Sequence, residues 1–229
     1  MTSKAMTATL IALLDRAGGD SRIVMRQLVN GIASARGLTL PWDVPPAVGL
    51  APLGDLAEWG VVELGEARAA LLPARQREAH GVVYTPVEVV EYQVKSVVQK
   101  LDARLAGDVR ALDHIVWVDP FCGPGIFLVH AARHVARWYA AQLAEAEPAD
   151  WMVKIVLPFV MTKCLYGQDL DEVAIDVAKS VCWLEIGGAE PITFMDGNIA
   201  VGDTFAGDLP TRLAERWAQS SSLPEAVAL

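Results

Sequence analysis

The stretch Ile115-Val-Trp-Val-Asp119-Pro-Phe-Cys-Gly123-Pro-Gly125-Ile-Phe-Leu-Val129 compresses a strand, a turn and a helix start into one run. Ile115 to Val118 is β-branched and aromatic, as the interior strand of a parallel sheet is. Asp119 then falls at the carboxyl end of that strand, where open α/β sheets bind their ligands. Gly123 and Gly125 permit a sharp turn and a close backbone approach to a ligand. The helix beginning near Ile126 aims its first N–H groups at the same place. The expectation is an α/β fold with a ligand cleft at this turn.

A dinucleotide-binding loop would place glycines at the first, third and sixth positions, and here the sixth is Leu128. The string from Asp119 to Leu128 instead resembles the DPACGSGxFL loop of S-adenosylmethionine (SAM) dependent DNA methyltransferases that modify adenine N6, departing from it at Phe121 and Pro124. Three further elements resemble that family, in the same order along the chain. Gly81-Val-Val-Tyr84-Thr85-Pro86 is similar to the element that precedes the cofactor loop, where the threonine region helps to hold the SAM carboxylate. Thr85 as cap and Pro86 as first helical residue also specify a helix from Val87 to about Leu105. In Gly167-Gln-Asp169-Leu170-Asp171 a strand ends in an acid, followed by a helix capped by Asp171. The resemblance gives Asp169 the ribose hydroxyls and Leu170 the adenine face. Asn198-Ile-Ala-Val-Gly-Asp203-Thr-Phe205 resembles the segment whose acid hydrogen-bonds the exocyclic amine of the cofactor adenine.

The resemblance implies SAM as cofactor, held by Tyr84, Thr85, Pro86, Asp119, Phe121, Gly123, Gly125, Phe127, Asp169, Leu170 and Asp203. It also implies a Rossmann-like methyltransferase core. Helical spacing from Ala8 to Ala35, broken at Gly18-Gly19 with Asp20 and Ser21 as candidate caps, suggests a helical hairpin. Gly37 to Leu56 is a proline-rich connection, and helical spacing returns from Trp59 to Leu72. The chain is thus expected to divide into a helical segment, 1–76, and the cofactor-binding core, 77–229.

With 229 residues, 53% of them apolar, the chain can bury a substantial interior. The net charge of −9 argues against a broad basic surface for nucleic acid. Arg75, Arg77 and His80 form a local basic cluster that reads either as a solvated helix end or as a contact to a phosphate or partner. Cys122, Cys164 and Cys182 make no close pair, which fits a reducing cytoplasm and no zinc site. His130 and His134 lie one helical turn apart, but no third ligand accompanies them. No apolar run approaches the ~20 residues of a membrane span, and the apolar start, Met1 to Leu14, reads as a helix because Asp15 and Arg16 follow it at once.

The family's acceptor element, Asn/Asp/Ser-Pro-Pro-Tyr/Phe, does not occur; the one Pro-Pro pair, Pro45-Pro46, stands between Val44 and Ala47, far upstream. Ala206 to Leu229 reads as a loop, a helix with Leu213 and Trp217, and a polar tail. The expected function is accordingly the SAM-binding portion of a restriction-modification type adenine-N6 methyltransferase, with DNA reached through the complete enzyme and no catalytic residue on this chain. A non-catalytic SAM-binding regulatory subunit, or a methyltransferase acting on a small molecule or protein, stays open. Strands near Ile115, Leu165 and Ile199 supply one side of the sheet, so Ile115 to Val118 is expected to keep an unpaired edge. That edge invites a second polypeptide or self-association.

Overall fold

A computed structural model describes residues 4–44, 49–73, 85–108, 110–144, 146–219 and 226–228. The protein is mixed α/β, mostly helical, around a small parallel sheet. Three strands, β1 (Val116–Asp119), β2 (Leu165–Asp169) and β3 (Ile199–Val201), run side by side with β2 in the middle. The register pairs Asp119 with Gly167 and Asp169 with Val201, so the strands end on one rim. Parallel neighbours need long crossovers. These are supplied by α6 (Ile126–Ala144) and α7 (Asp150–Cys164) between β1 and β2, and by α8 (Glu172–Glu185) between β2 and β3.

Side chains alternate across the sheet as the period of two requires. Ile115, Trp117 and Leu165 enter the large core, while Val116 and Tyr166 pack with Leu213 of α9 (Thr211–Gln219) on the opposite face. The large core is continuous with the amino-terminal helices α1 (Lys4–Arg16), α2 (Ser21–Ala35) and α3 (Val61–Leu71), through Leu10, Leu28, Ile32 and Leu64. Both α2 and α3 pack against α8. Arg22–Glu172 at 2.7 Å and Arg26–Asp176 at 2.9 Å bridge the same interface. Pairs that solvent still reaches contribute little, so the apolar contact is the larger part of what joins the two segments.

The helical hairpin forms as its sequence indicates: Asp20 caps α2 by accepting from Arg22 N at 2.8 Å and Ile23 N at 3.3 Å. Helix α4 (Val87–Leu105) matches its expected span, but its start differs. Pro86 itself is the capping position, with φ −55° and ψ 140°, and no side-chain hydrogen bond caps the helix. Thr85 therefore precedes the cap. A short α5 (Ala111–His114) leads into β1. His130 and His134 both hydrogen-bond to Glu91 of α4, the latter at 2.7 Å. Among the described residues there is no group of three or more His, Cys, Asp or Glu arranged for a metal, and no helix is long and apolar enough to cross a membrane. The basic cluster at Arg75, Arg77 and His80, and the division at Gln76, lie outside the described residues.

The carboxyl-terminal stretch corrects one expectation. Ala226–Ala228 is not a polar tail but a fourth strand, β4, parallel to β1 with Val118 opposite Ala228. It pairs the β1 edge that the sequence left open.

Gly125 has φ +93°, and a Cβ there would sit 3.1 Å from Ala178 Cβ and 3.2 Å from Ala178 Cα. Its bare Cα is what lets the turn press on α8. Gly125→Ala is expected to destabilise the protein by about 1–3 kcal/mol, from backbone strain and the clash with helix backbone. Urea denaturation checks this, and an unchanged midpoint would count against the tight packing.

Candidate functional site

The ends of β1, β2 and β3 open into one cleft of about 760 Å³. Its size is that of a site for a nucleoside or drug-sized molecule. The floor is the turn after β1. Cys122 N–H donates to Gln168 O at 2.9 Å, and Gly123 N–H donates to Asp169 Oδ2 at 2.9 Å. Gly123 has φ +50° and open space where a Cβ would stand. Its surface is therefore free for a ligand, whereas Gly125 faces α8 and is not part of the cleft wall.

Asp119 is 9% exposed, and among the described residues no basic side chain pairs with it. Its Oδ1 accepts from Phe121 N–H at 3.2 Å. Burial pushes its carboxyl up to about 6; the Phe121 N–H pulls the other way, and the charge of Asp169 adds to the rise. Asp169 is held by two backbone donors, Gly123 on Oδ2 and Asp171 on Oδ1, both at 2.9 Å. Each carboxylate oxygen has a second lone pair, so Asp169 can still accept from a ligand. Asp171 caps α8, accepting from Val173 N at 2.9 Å and Ala174 N at 3.2 Å.

The third acid, Asp203, accepts from Phe205 N–H at 2.9 Å, and its own N–H donates to Asp208 at 2.8 Å. This turn carries Phe205, 90% exposed, to within 5.5 Å of the Phe121 ring, which is 59% exposed. Thr204 ties the turn down by donating to Pro120 O at 2.7 Å and accepting from Gln168 Nε2 at 3.2 Å. Leu170, also largely exposed, completes an apolar lip.

Of the positions singled out in the sequence, Thr85, Asp119, Phe121, Gly123, Phe127, Asp169, Leu170 and Asp203 line this cleft. Pro86 and Gly125 are not in its wall, and Tyr84 lies outside the described residues. Two lining residues carried no local signal. Arg68 reaches the cleft from α3, where it stands as the one basic residue beside Glu63 and Glu66 and reads as an ordinary helix charge. Phe205 stood inside the recognised segment, but the acid beside it drew the reading.

Asp119, Asp169, Asp171, Glu172 and Asp203 line the cleft, and among the described residues Arg68 is the one basic side chain that does. Such a surface accepts hydrogen bonds and favours cations, and it opposes a pyrophosphate. Burial raises the Cys122 thiol well above its ordinary range, which disfavours the nucleophilic thiolate. Comparisons with protein-family models, with curated proteins and with solved structures found no match.

Because the folded value of Asp119 lies above its ordinary one, its contribution to stability is full when it is protonated. That contribution is lost as pH rises through about 6. Asp119→Asn should therefore stabilise the protein at pH 7.5 by about 1–3 kcal/mol and change little at pH 4. Denaturant titrations at both pH values test this, and a loss of stability at pH 7.5 would show that the charge is compensated in the fold.

Proposed function

We propose that the cleft binds SAM and that the chain is the cofactor-binding portion of an adenine-N6 DNA methyltransferase with a Rossmann-like core. Support comes above all from Asp119 and Asp169, two carboxylates at the ends of adjacent strands in one cleft, beneath a glycine turn whose surface is free. SAM presents a hydroxylated ribose, an adenine ring and two cationic centres, and each has a counterpart here. Asp169 accepts from the ribose hydroxyls, Asp203 accepts from the adenine amine, and Phe121, Leu170 and Phe205 cover the ring. Asp119, buried without a cation, attracts the positive end of the methionine group. Thr85, which also lines the cleft, is the residue proposed to help hold the methionine carboxylate.

When bound, SAM supplies an electrophilic methyl group for transfer to a base nitrogen. The chain's own residues orient and desolvate it, and positioning is their main contribution to rate. The acceptor adenine, flipped from the helix, requires a gripping element that the sequence lacks. The carboxyl end of β4 adjoins Val118, just before Asp119 and Phe121, so an element entering there from a partner polypeptide would meet the cofactor. That partner would also supply most phosphate contacts, given the net charge of −9. The absence of the gripping element equally supports a second reading, a SAM-binding regulatory subunit.

Calorimetric titration should detect binding of SAM and of its demethylated product; no heat and no thermal shift with folded protein would sink the reading. Asp169→Ala should weaken binding by about 1.5–3 kcal/mol, and Phe205→Ala by about 1–3 kcal/mol. Affinity for SAM should fall about ten-fold from pH 7.5 to pH 5 as Asp119 takes up a proton, whereas Asp119→Asn should bind weakly with little dependence on pH. The chain alone should transfer no tritiated methyl to DNA, and robust transfer would mean that its own residues build an acceptor site.

A further inference from the structure

One wall of the cleft comes from α3, outside the sheet and its crossovers. Arg68 of α3 is 7% exposed, and a guanidinium so buried must be paired. Its Nε and Nη2 both donate to Asp171 Oδ2, at 2.9 and 2.5 Å, and Nη1 reaches Ser21 Oγ at 3.5 Å. The other oxygen of Asp171 caps α8. The backbone N–H of Asp171 donates to Asp169 Oδ1, and Asp169 Oδ2 accepts from Gly123 N–H, each at 2.9 Å. A contact chain thus runs from α3 to the glycine turn, and every link but the first is anchored in main chain.

The geometry points to Arg68 as a positioning residue for Asp169: by clamping Asp171 at the start of α8, it fixes the N–H that orients the Asp169 carboxylate toward a ribose diol. This rests on the nucleoside reading of Asp169 given above. A carboxylate can turn about its last bond, and a diol is gripped well in only one orientation, so loss of the clamp costs the hydroxyl-dependent part of affinity. A side chain that merely glued α3 to α8 would instead lower stability and weaken all ligands alike.

The test uses the full chain with adenosine and 2′,3′-dideoxyadenosine as probes. Arg68→Ala should weaken adenosine about ten-fold and leave dideoxyadenosine within about two-fold. In the Asp169→Ala background Arg68→Ala should cost nothing further, and Arg68→Lys should recover part of the loss. Equal losses for both nucleosides, or full additivity with Asp169→Ala, would overturn the positioning role. A readout without ligand separates this from the cofactor reading. Amide exchange at Gly123 should speed up about ten-fold in Arg68→Ala, while Cys122, whose N–H is held by the Gln168 main chain, should stay protected. Unchanged exchange at Gly123 in a folded variant would overturn the inference whether or not any nucleoside binds. Accelerated exchange, in a protein that binds neither nucleoside, would uphold the clamp and sink the cofactor reading alone. Should Arg68→Ala not fold, Arg68→Lys is read by the same exchange criterion.

Discussion

The hydrogen bond from Gly123 N–H to the Asp169 carboxylate joins the turn after β1 to the end of β2. Much of the cleft depends on it. It fixes a backbone of positive φ against a neighbouring strand, and it leaves the surface of Gly123 open. It also occupies one lone pair of an acid whose remaining capacity faces the cleft. Cys122 N–H on Gln168 O braces the same junction, and Gly167, with no room for a Cβ between Leu128 and Cys122, brings β2 close enough for both bonds. Glycine is needed on both sides of the junction, for conformation at one and for space at the other.

The energetics of Asp119 run against the fold. A carboxylate held near 6 by burial, beside a second carboxylate, is a cost the native state carries at neutral pH. Structural acids in this protein look different. Asp171 caps a helix and meets Arg68, and Asp176 is paired with Arg22 and Arg26. An unpaired acid at a strand end, in a cleft, is the pattern expected where a ligand supplies the missing charge.

What could be read in the sequence was what is local. The strand, turn and helix from Val116 to Ala144, the cap at Asp171 and the acid at Asp169 all follow from residues within a few positions of each other. The reading failed where partners are distant or the local rule had a close competitor. Arg68 and Asp171 are far apart in the chain, and nothing near either marks the pair. β4 is a three-residue strand whose pairing is defined entirely by β1, so its sequence alone looked like a tail. At Thr85-Pro86 two adjacent residues could each begin the helix, and Pro86, with its fixed φ, took the capping place. At Gly125 the missing side chain makes room for α8, a close approach that only the folded structure displays.

The amino-terminal helices therefore cannot be treated as an appendage to the site. Their apolar residues belong to the same core as β1 and β2, and α3 supplies a wall of the cleft. The sheet alone would leave Asp171 with its capping bonds but no countercharge, and α8 with no apolar cover on the side met by α2 and α3. A cleft assembled from strand ends is usually tuned by the loops that leave those strands. Here a helix that precedes the sheet in sequence reaches back over the rim, and its Arg68 pairs with Asp171, whose N–H holds the carboxylate of Asp169.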